Sequence, residues 1–150
     1  MAFTEMKFLK RASDLLIDHE HFNFSNDNAN ITPPAAAAAI PFGTVVFRAK
    51  GLGIAAPWAA VTTDAALVGT NEFAVVWGNH YGFAMDFVPR AIAAGKYNAI
   101  VIKRDAAFKE HYIKQVHGTA LGAEDFDVLK QLMADQGLLV LDDVTGYKVA

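Results

Sequence analysis

The stretch "TVVFRAK", residues 44–50, decides the fold class, because its β-branched and aromatic residues are typical of a β-strand. The stretches "WAAVTT" at 58–63 and "EFAVVWG" at 72–78 have the same character. Residues 90–103 predict a hairpin that turns at Gly95. Several short strands at this spacing predict a small barrel or a sandwich.

The C-terminal part of the chain predicts a helix followed by a strand. Residues 123–136 place apolar residues on one stripe and acidic residues near the N-terminus, where the helix dipole favours them. Gly137 is placed to end this helix, and "LLVLDDV" at 138–144 predicts a strand. Residues 105–117 fit either a short helix or a bent strand. The expected fold class is therefore mainly β, α+β overall.

The N-terminal part predicts an arm. Residues 1–24 fit either a short helix or extended chain, and residues 25–39 combine turn formers, two prolines and five alanines. The prolines favour extended backbone and donate no backbone hydrogen bond. A flexible linker is the alternative. We expect residues 1–39 to form an extended arm and residues 40–150 a single β-rich domain with a helix near 123–136.

Composition limits the classes of partner. The chain has 150 residues, 53% hydrophobic and 19% charged, which indicates a globular body. Its net charge of −3 and its scattered basic residues argue against nucleic acid and acidic membranes. It has no cysteine, which excludes disulfides, thiol catalysis and cysteine-based metal sites. The N-terminus lacks the apolar core of a signal peptide, so we expect synthesis in the cytoplasm.

No pattern of catalytic residues holds up. "GLGIAA" at 51–56 has the spelling of a dinucleotide fingerprint, but Pro57 follows it and prevents the helix that binds the pyrophosphate. "DHEH" at 18–21 lacks a third metal ligand at diagnostic spacing, so solvated histidines are the better interpretation. We expect no catalytic residue, metal or cofactor, and therefore a protein that is not an enzyme.

An aromatic loop is the remaining candidate for a contact surface. The stretch "HYGFAMDF" contains large side chains in what reads as a loop, and aromatic residues and Met are enriched at protein interfaces. Its side chains fit either a partner contact or ordinary core packing. The four candidates are Tyr81, Phe83, Met85 and Phe87.

The order of these pieces resembles the head decoration (capsid-stabilising) proteins of tailed phages, of the lambda type. "IPFGTVVFRAKG" matches the family pattern of an apolar residue and a glycine before a strand, through Ile40 and Gly43. "GKYNAIVIKRDAAF" matches its later strand after a glycine turn. The resemblance covers roughly residues 31–108. The N-terminal segment here is longer, and the helix and strand at 119–144 have no counterpart in the family.

The resemblance implies a small β-barrel or tulip-like body and an arm that becomes ordered on the capsid. It implies a homo-oligomer, with a trimer favoured over a dimer. The expected function is that of a cement protein, which binds the shell of major capsid protein from outside and stabilises the expanded head. The expected location is the capsid exterior of the virion. The arm residues expected to bind the capsid are Ile31, Thr32, Pro33, Pro34, Ile40, Pro41 and Phe42.

Two other functions fit the same composition. One is another virion structural protein, such as a tail-tube or connector component. The other is a small-ligand-binding β-barrel or enzyme with a pocket lined by Trp58, Trp77 and Tyr81. Self-assembly into rings or tubes would favour the first, and stabilisation by a metal or nucleotide would favour the second.

Overall fold

The computed structural model describes residues 16–19, 26–36, 38–79, 92, 94–95, 97–117 and 120–142. Its strands, in chain order, are β1 (Leu16–His19), β2 (Asn26–Asn30), β3 (Val45–Ala49), β4 (Ala59–Ala60), β5 (Asn71–Asn79), β6 (Asn98–Ile102), β7 (Ala106–Lys109) and β8 (Leu138–Leu141). Its helices are a 3-10 helix at Asp64–Ala66, α1 (Glu110–His117) and α2 (Ala123–Ala134). The expectation of a mainly β, α+β fold is confirmed. No helix in the described part of the chain is long and apolar enough to cross a membrane.

The larger sheet has five antiparallel strands in the order β2-β6-β5-β3-β4, and it is curled into a half-barrel. Its two edges meet where Ile31, just after β2, forms a parallel bridge with Trp58, just before β4. The Trp58 N–H donates to the Asn30 carbonyl over 2.8 Å, and the Thr32 N–H donates to the Trp58 carbonyl over 2.6 Å. These two bonds hold the curl.

The smaller sheet has the order β1-β7-β8, and β7 and β8 run parallel. Parallel neighbours need a long crossover connection, and the segment with α1 and α2 supplies it. Residues 105–117 contain both alternatives, since β7 leads directly into α1. The predicted C-terminal strand is confirmed as β8 (Leu138–Leu141).

Both faces of the larger sheet are buried, so each of its central strands contributes to two cores. On β3, Val45 faces the first core, between this sheet and the helices, and Val46 faces the second core, inside the curl. On β5, Phe73 faces the first core and Ala74 faces the second core. Burial on both faces explains why "EFAVVWG" is a nearly continuous apolar run.

The predicted strands and helix differ in how well they match the structure. Three predictions are confirmed: 44–50 as β3 (Val45–Ala49), 72–78 as β5 (Asn71–Asn79) and 123–136 as α2 (Ala123–Ala134). Gly137 follows α2 at a φ of 81°, in the left-handed region that suits glycine. The hairpin predicted at 90–103 is wrong in its pairing, because Ile92 bridges Ile40 while β6 pairs with β2 and β5.

The buried ring of His117 explains why the strand predicted at 58–63 is reduced to Ala59–Ala60. The Val61 N–H still donates to the Val45 carbonyl over 2.9 Å. The Val45 N–H donates instead to His117 Nε2 over 2.8 Å, and the ring also bonds the Val61 backbone. The imidazole therefore ends the β3–β4 ladder and ties α1 to the larger sheet.

We expect the stability of the fold to fall as pH drops below about 6.5, the ordinary pKa of histidine. Burial lowers the pKa of His117, and the hydrogen bond with the Val61 backbone offsets this only in part. In this window the unfolded chain binds the proton that the folded chain excludes, so the free energy of unfolding decreases by up to about 1.4 kcal/mol per pH unit. Urea titrations at pH 7.5 and 5.5 measure it.

His117→Gln is the control, because an amide can replace both hydrogen bonds without titrating. Its stability should change much less between the two pH values. Lys114 and Lys130 hydrogen-bond Glu110 and lower the pKa of its carboxyl, so the contribution of Glu110 is lost only below about pH 4.3. An equal pH dependence in both proteins would contradict the role of His117.

Gln136 ties the end of α2 to β5. The Phe73 N–H donates to Gln136 Oε1 over 2.8 Å, and Gln136 Nε2 lies 3.4 Å from the Asn71 and Leu132 carbonyl oxygens. Phe73 is fully buried, so its N–H loses its hydrogen-bond partner if the amide is removed.

We expect Gln136→Ala to lower the free energy of unfolding by about 1–3 kcal/mol, the cost of an unsatisfied buried donor. Gln131→Ala is the matched control, because Gln131 is exposed on the same helix and bonds only Asp135. That change should stay within about 0.5 kcal/mol. Equal stabilities of the two variants in urea unfolding would contradict the assignment.

Candidate docking surface

An uncharged loop follows the edge strand β2 and leads to Ile40, ahead of β3. We call residues 32–39 the proline–alanine loop; position 37 lies outside the described residues. Pro34 is half-buried, and the other described residues of the loop are exposed. No charged residue occurs between Asp27 and Arg48 in the sequence. The loop therefore presents proline rings, methyl groups and backbone to solvent.

Both ends of the proline–alanine loop are fastened to the body. The Ile31 N–H donates to the Tyr97 carbonyl over 2.8 Å, and Ile40 and Ile92 exchange backbone hydrogen bonds of 3.0 and 2.7 Å. Within the loop, the Tyr97 hydroxyl donates to the Ala38 carbonyl over 3.2 Å. Backbone hydrogen bonds thus hold the loop at Ile31 and Ile40, and the Tyr97 hydroxyl holds it at Ala38.

The seven predicted arm residues divide into two groups. Ile31, Ile40 and Phe42 are buried in the cores of this chain, and Phe42 stacks on Tyr112 with ring centroids 4.9 Å apart. The others are turned outward or lie at the surface: Thr32, Pro33 and Pro41 are exposed, and Pro34 is half-buried. The buried three anchor the loop, and the other four can contact a partner.

The described part of the predicted arm lies on the body. β2 (Asn26–Asn30) pairs with β6 along its whole length, and β1 (Leu16–His19) pairs with β7. Sequence reasoning missed β2 because asparagine is rare in strands. A signal was present: Ala29 and Ile31, two residues apart, both face the second core. The four predicted aromatic contacts, at 81, 83, 85 and 87, lie outside the described residues.

A second uncharged loop meets the first at Trp58. We call residues 51–57 the glycine loop, and it carries two exposed apolar side chains, Leu52 at 49% and Ile54 at 79% exposure. No charged residue occurs between Lys50 and Asp64 in the sequence. Because Asn30 and Thr32 hydrogen-bond Trp58, the start of the proline–alanine loop adjoins the end of the glycine loop. Together they form the surface that we call the docking surface.

A row of alternating charges crosses the larger sheet beside the glycine loop. The carboxylate of Glu72 lies 2.5 Å from Arg48 Nε and 3.4 Å from Lys103 Nζ. Asp27 Oδ2 lies 3.9 Å from Lys103 Nζ and 3.6 Å from Arg104 Nη1. These side chains come from neighbouring strands, or just beyond them, and are within diagonal reach. Each of the three cations in the row lies beside at least one of its two carboxylates.

The Trp58 ring lies against this row inside the curl. The Arg48 guanidinium carbon is 4.3 Å from the ring centroid, and Lys103 Nζ is 5.8 Å from it. Trp77 belongs to the first core, on the opposite face of the sheet. The two tryptophans therefore do not line a common pocket, which removes the feature that suggested a ligand-binding barrel.

The described residues contain no group of three or more His, Asp or Glu side chains that could hold a metal ion. Of the "DHEH" stretch, Asp18 and His19 belong to β1, and positions 20 and 21 lie outside the described residues. The adjacent acids Glu124 and Asp125 lie in the first turn of α2, where the helix dipole stabilises them.

Comparison with models of protein families, with curated proteins and with solved structures found no match to this chain. The docking surface combines an uncharged exposed surface with anchors buried in the cores.

We expect Ile31→Ala to lower the free energy of unfolding by about 2–5 kcal/mol, because it leaves a cavity in the second core at the point where the sheet edges meet. Thr32→Ala, at the exposed neighbouring position, is the control and should change stability by less than about 0.5 kcal/mol. Thermal and urea unfolding measure both. If Ile31→Ala were as stable as the control, residue 31 would belong to a free arm.

Proposed function

We propose that this protein is a non-catalytic decoration protein of a phage capsid, which binds the outer surface of the major capsid protein shell through its docking surface and stabilises the expanded head. The proposal begins from the resemblance to lambda-type decoration proteins. It includes a tulip-like β-barrel body, and the curled sheet with its meeting edges supports this part of the proposal. The observation that carries it is the anchored, uncharged proline–alanine loop.

The chemistry of the loop favours a protein partner. Recognition of phosphate, in nucleic acid or at an acidic membrane surface, depends on clustered Lys and Arg, and residues 32–41 contain none. Proline and alanine side chains are small, so another backbone can approach closely. Proline also restricts the backbone before binding, which reduces the ordering entropy lost when the complex forms.

The proposed mode of binding follows from the two groups of arm residues. Thr32, Pro33 and Pro41 contact the capsid protein, together with the exposed alanines of the loop. Ile31, Ile40 and Phe42 act from the core by holding the loop in shape. Fastened ends remove much of the loop's freedom in advance, so modest contact area can give useful affinity.

Oligomerisation belongs to the same proposal. A trimer over a local threefold axis would place three docking surfaces on neighbouring capsid subunits. Once one surface binds, the others act at high effective concentration, so weak individual contacts sum to stable attachment. The shell gains bridges between subunits, which is the mechanism by which the expanded head would be stabilised.

We expect the purified protein to cosediment saturably, at a fixed ratio to capsid subunits, with expanded tailed-phage capsids that lack a decoration protein. The double variant Pro33→Asp, Ala36→Asp should bind at least about 10-fold more weakly, because it places unpaired charges in an apolar contact. Val128→Asp is the control, since Val128 is exposed on α2, whose apolar side chains pack in the first core, whereas Ile31 and Ile40 at the loop's ends pack in the second.

Unfolding midpoints of the three proteins show whether each variant remains folded. Wild-type protein that binds none of a panel of such capsids would contradict the proposed function. Equal binding by the double variant and by the wild type would contradict the role of the proline–alanine loop.

A further inference from the structure

Arg48 fastens the glycine loop from inside the fold. Its Nη1 lies 3.2 Å from the Gly53 carbonyl oxygen and 3.3 Å from the Ala56 carbonyl oxygen. Its Nε bonds Glu72, and its guanidinium stacks on Trp58. Both Nε and Nη1 of this buried side chain are thus hydrogen-bonded, and the two Nη1 bonds go to the loop.

The glycine loop has little else to hold its shape. A Cβ atom added at Gly51 or Gly53 would meet nothing within 4 Å, so the backbone protrudes into open space there. Glycine adopts many backbone conformations, and Gly51 has a φ of 79°. One internal turn bond, from the Ala56 N–H to the Gly53 carbonyl, spans 2.9 Å. The Arg48 hydrogen bonds therefore restrain a loop whose glycines allow many backbone conformations.

What the restrained loop presents is apolar. Ile54 is 79% exposed, the highest exposure of any large hydrophobic residue in the described part of the chain. Leu52 is 49% exposed two residues earlier. A single exposed aliphatic residue needs no explanation, but two on a protruding loop that a buried arginine holds in place indicate a contact.

We propose that the glycine loop inserts Ile54 into an apolar pocket of the capsid protein, and that Arg48 is the positioning residue that holds the loop for this contact. The inference rests on the proposed function and extends it to a second loop. The two loops meet at Trp58, so a partner lying on the proline–alanine loop reaches the glycine loop as well. Buried aliphatic anchors filling a pocket commonly contribute strongly to protein interfaces.

The charges around the loop specify the pocket. Residues 51–57 carry no charge, and Arg48 directs its own charge to Glu72. A complementary pocket is therefore uncharged and aliphatic or aromatic. A lipid or nucleic-acid phosphate would find no free cation on this loop.

The first test compares Ile54→Ser with Val128→Ser in cosedimentation with the expanded capsids that bind the wild type. Both changes remove an exposed β-branched side chain, but Val128 lies on α2, away from the docking surface. Ile54→Ser should raise the Kd at least about 10-fold, and Val128→Ser should leave it unchanged. Equal Kd values for Ile54→Ser and wild type would overturn the inference while leaving the proposed function standing.

The second test uses Arg48→Lys, which keeps the positive charge beside Glu72. A lysine ammonium is a compact donor and lacks the planar fork that reaches Glu72 and both carbonyls together. The amide heteronuclear NOE values of residues 51–56 should fall, and capsid affinity should fall with them although Ile54 is intact. Lys50→Gln, which removes an exposed lysine bound to the Gly69 carbonyl, is the control and should change neither.

The outcomes are distinguishable. Unchanged NOE values in Arg48→Lys would overturn the positioning role, as would unchanged affinity with a mobile loop. Wild-type protein that fails to bind any expanded capsid would overturn the proposed function and, with it, the docking role of Ile54. The NOE comparison in the free protein would still decide whether Arg48 holds the loop.

Discussion

The closure between Ile31 and Trp58 is the constraint on which the rest of the structure depends. Two backbone hydrogen bonds join opposite edges of the larger sheet, and they turn an open sheet into a curled one with an enclosed second core. The same junction brings two loops together that are separated by more than ten residues in the sequence. A single pairing thus produces both the enclosed core and the docking surface.

Neither loop of the docking surface contains a charged residue. Each charge in the row from Asp27 to Arg48 lies beside an opposite charge on an adjacent strand or turn, and Lys50, just before the glycine loop, donates to the Gly69 carbonyl. Because Arg48 is buried with Glu72 and stacks on Trp58, it can bond loop carbonyls without exposing its charge. An uncharged surface that is also held in shape suits a protein partner, since it pays little in desolvation of charge or loss of loop freedom.

Three polar side chains, His117, Gln136 and Arg48, join elements where a regular ladder stops. His117 accepts a hydrogen bond from the Val45 N–H at the end of β4. Gln136 accepts one from the Phe73 N–H beyond the end of β6. Arg48 donates to the carbonyls of the glycine loop. At Val45 and Phe73, a buried backbone N–H that the sheet leaves unpaired is satisfied by a side chain from outside the ladder, as burial requires.

The sequence by itself determined the local elements. β3, β5 and α2 were predictable because β-branched runs, helical apolar spacing and the glycine after α2 act within a few residues, and the neutral character of both loops is visible in the letters. Only the tertiary structure decided the pairings. The asparagine-rich β2 has little preference of its own and becomes a strand because β6, some 70 residues later, offers a partner. Burial of Ile31, Ile40 and Phe42, and the turning of Arg48 toward the glycine loop, follow from that long-range closure, which no local pattern encodes.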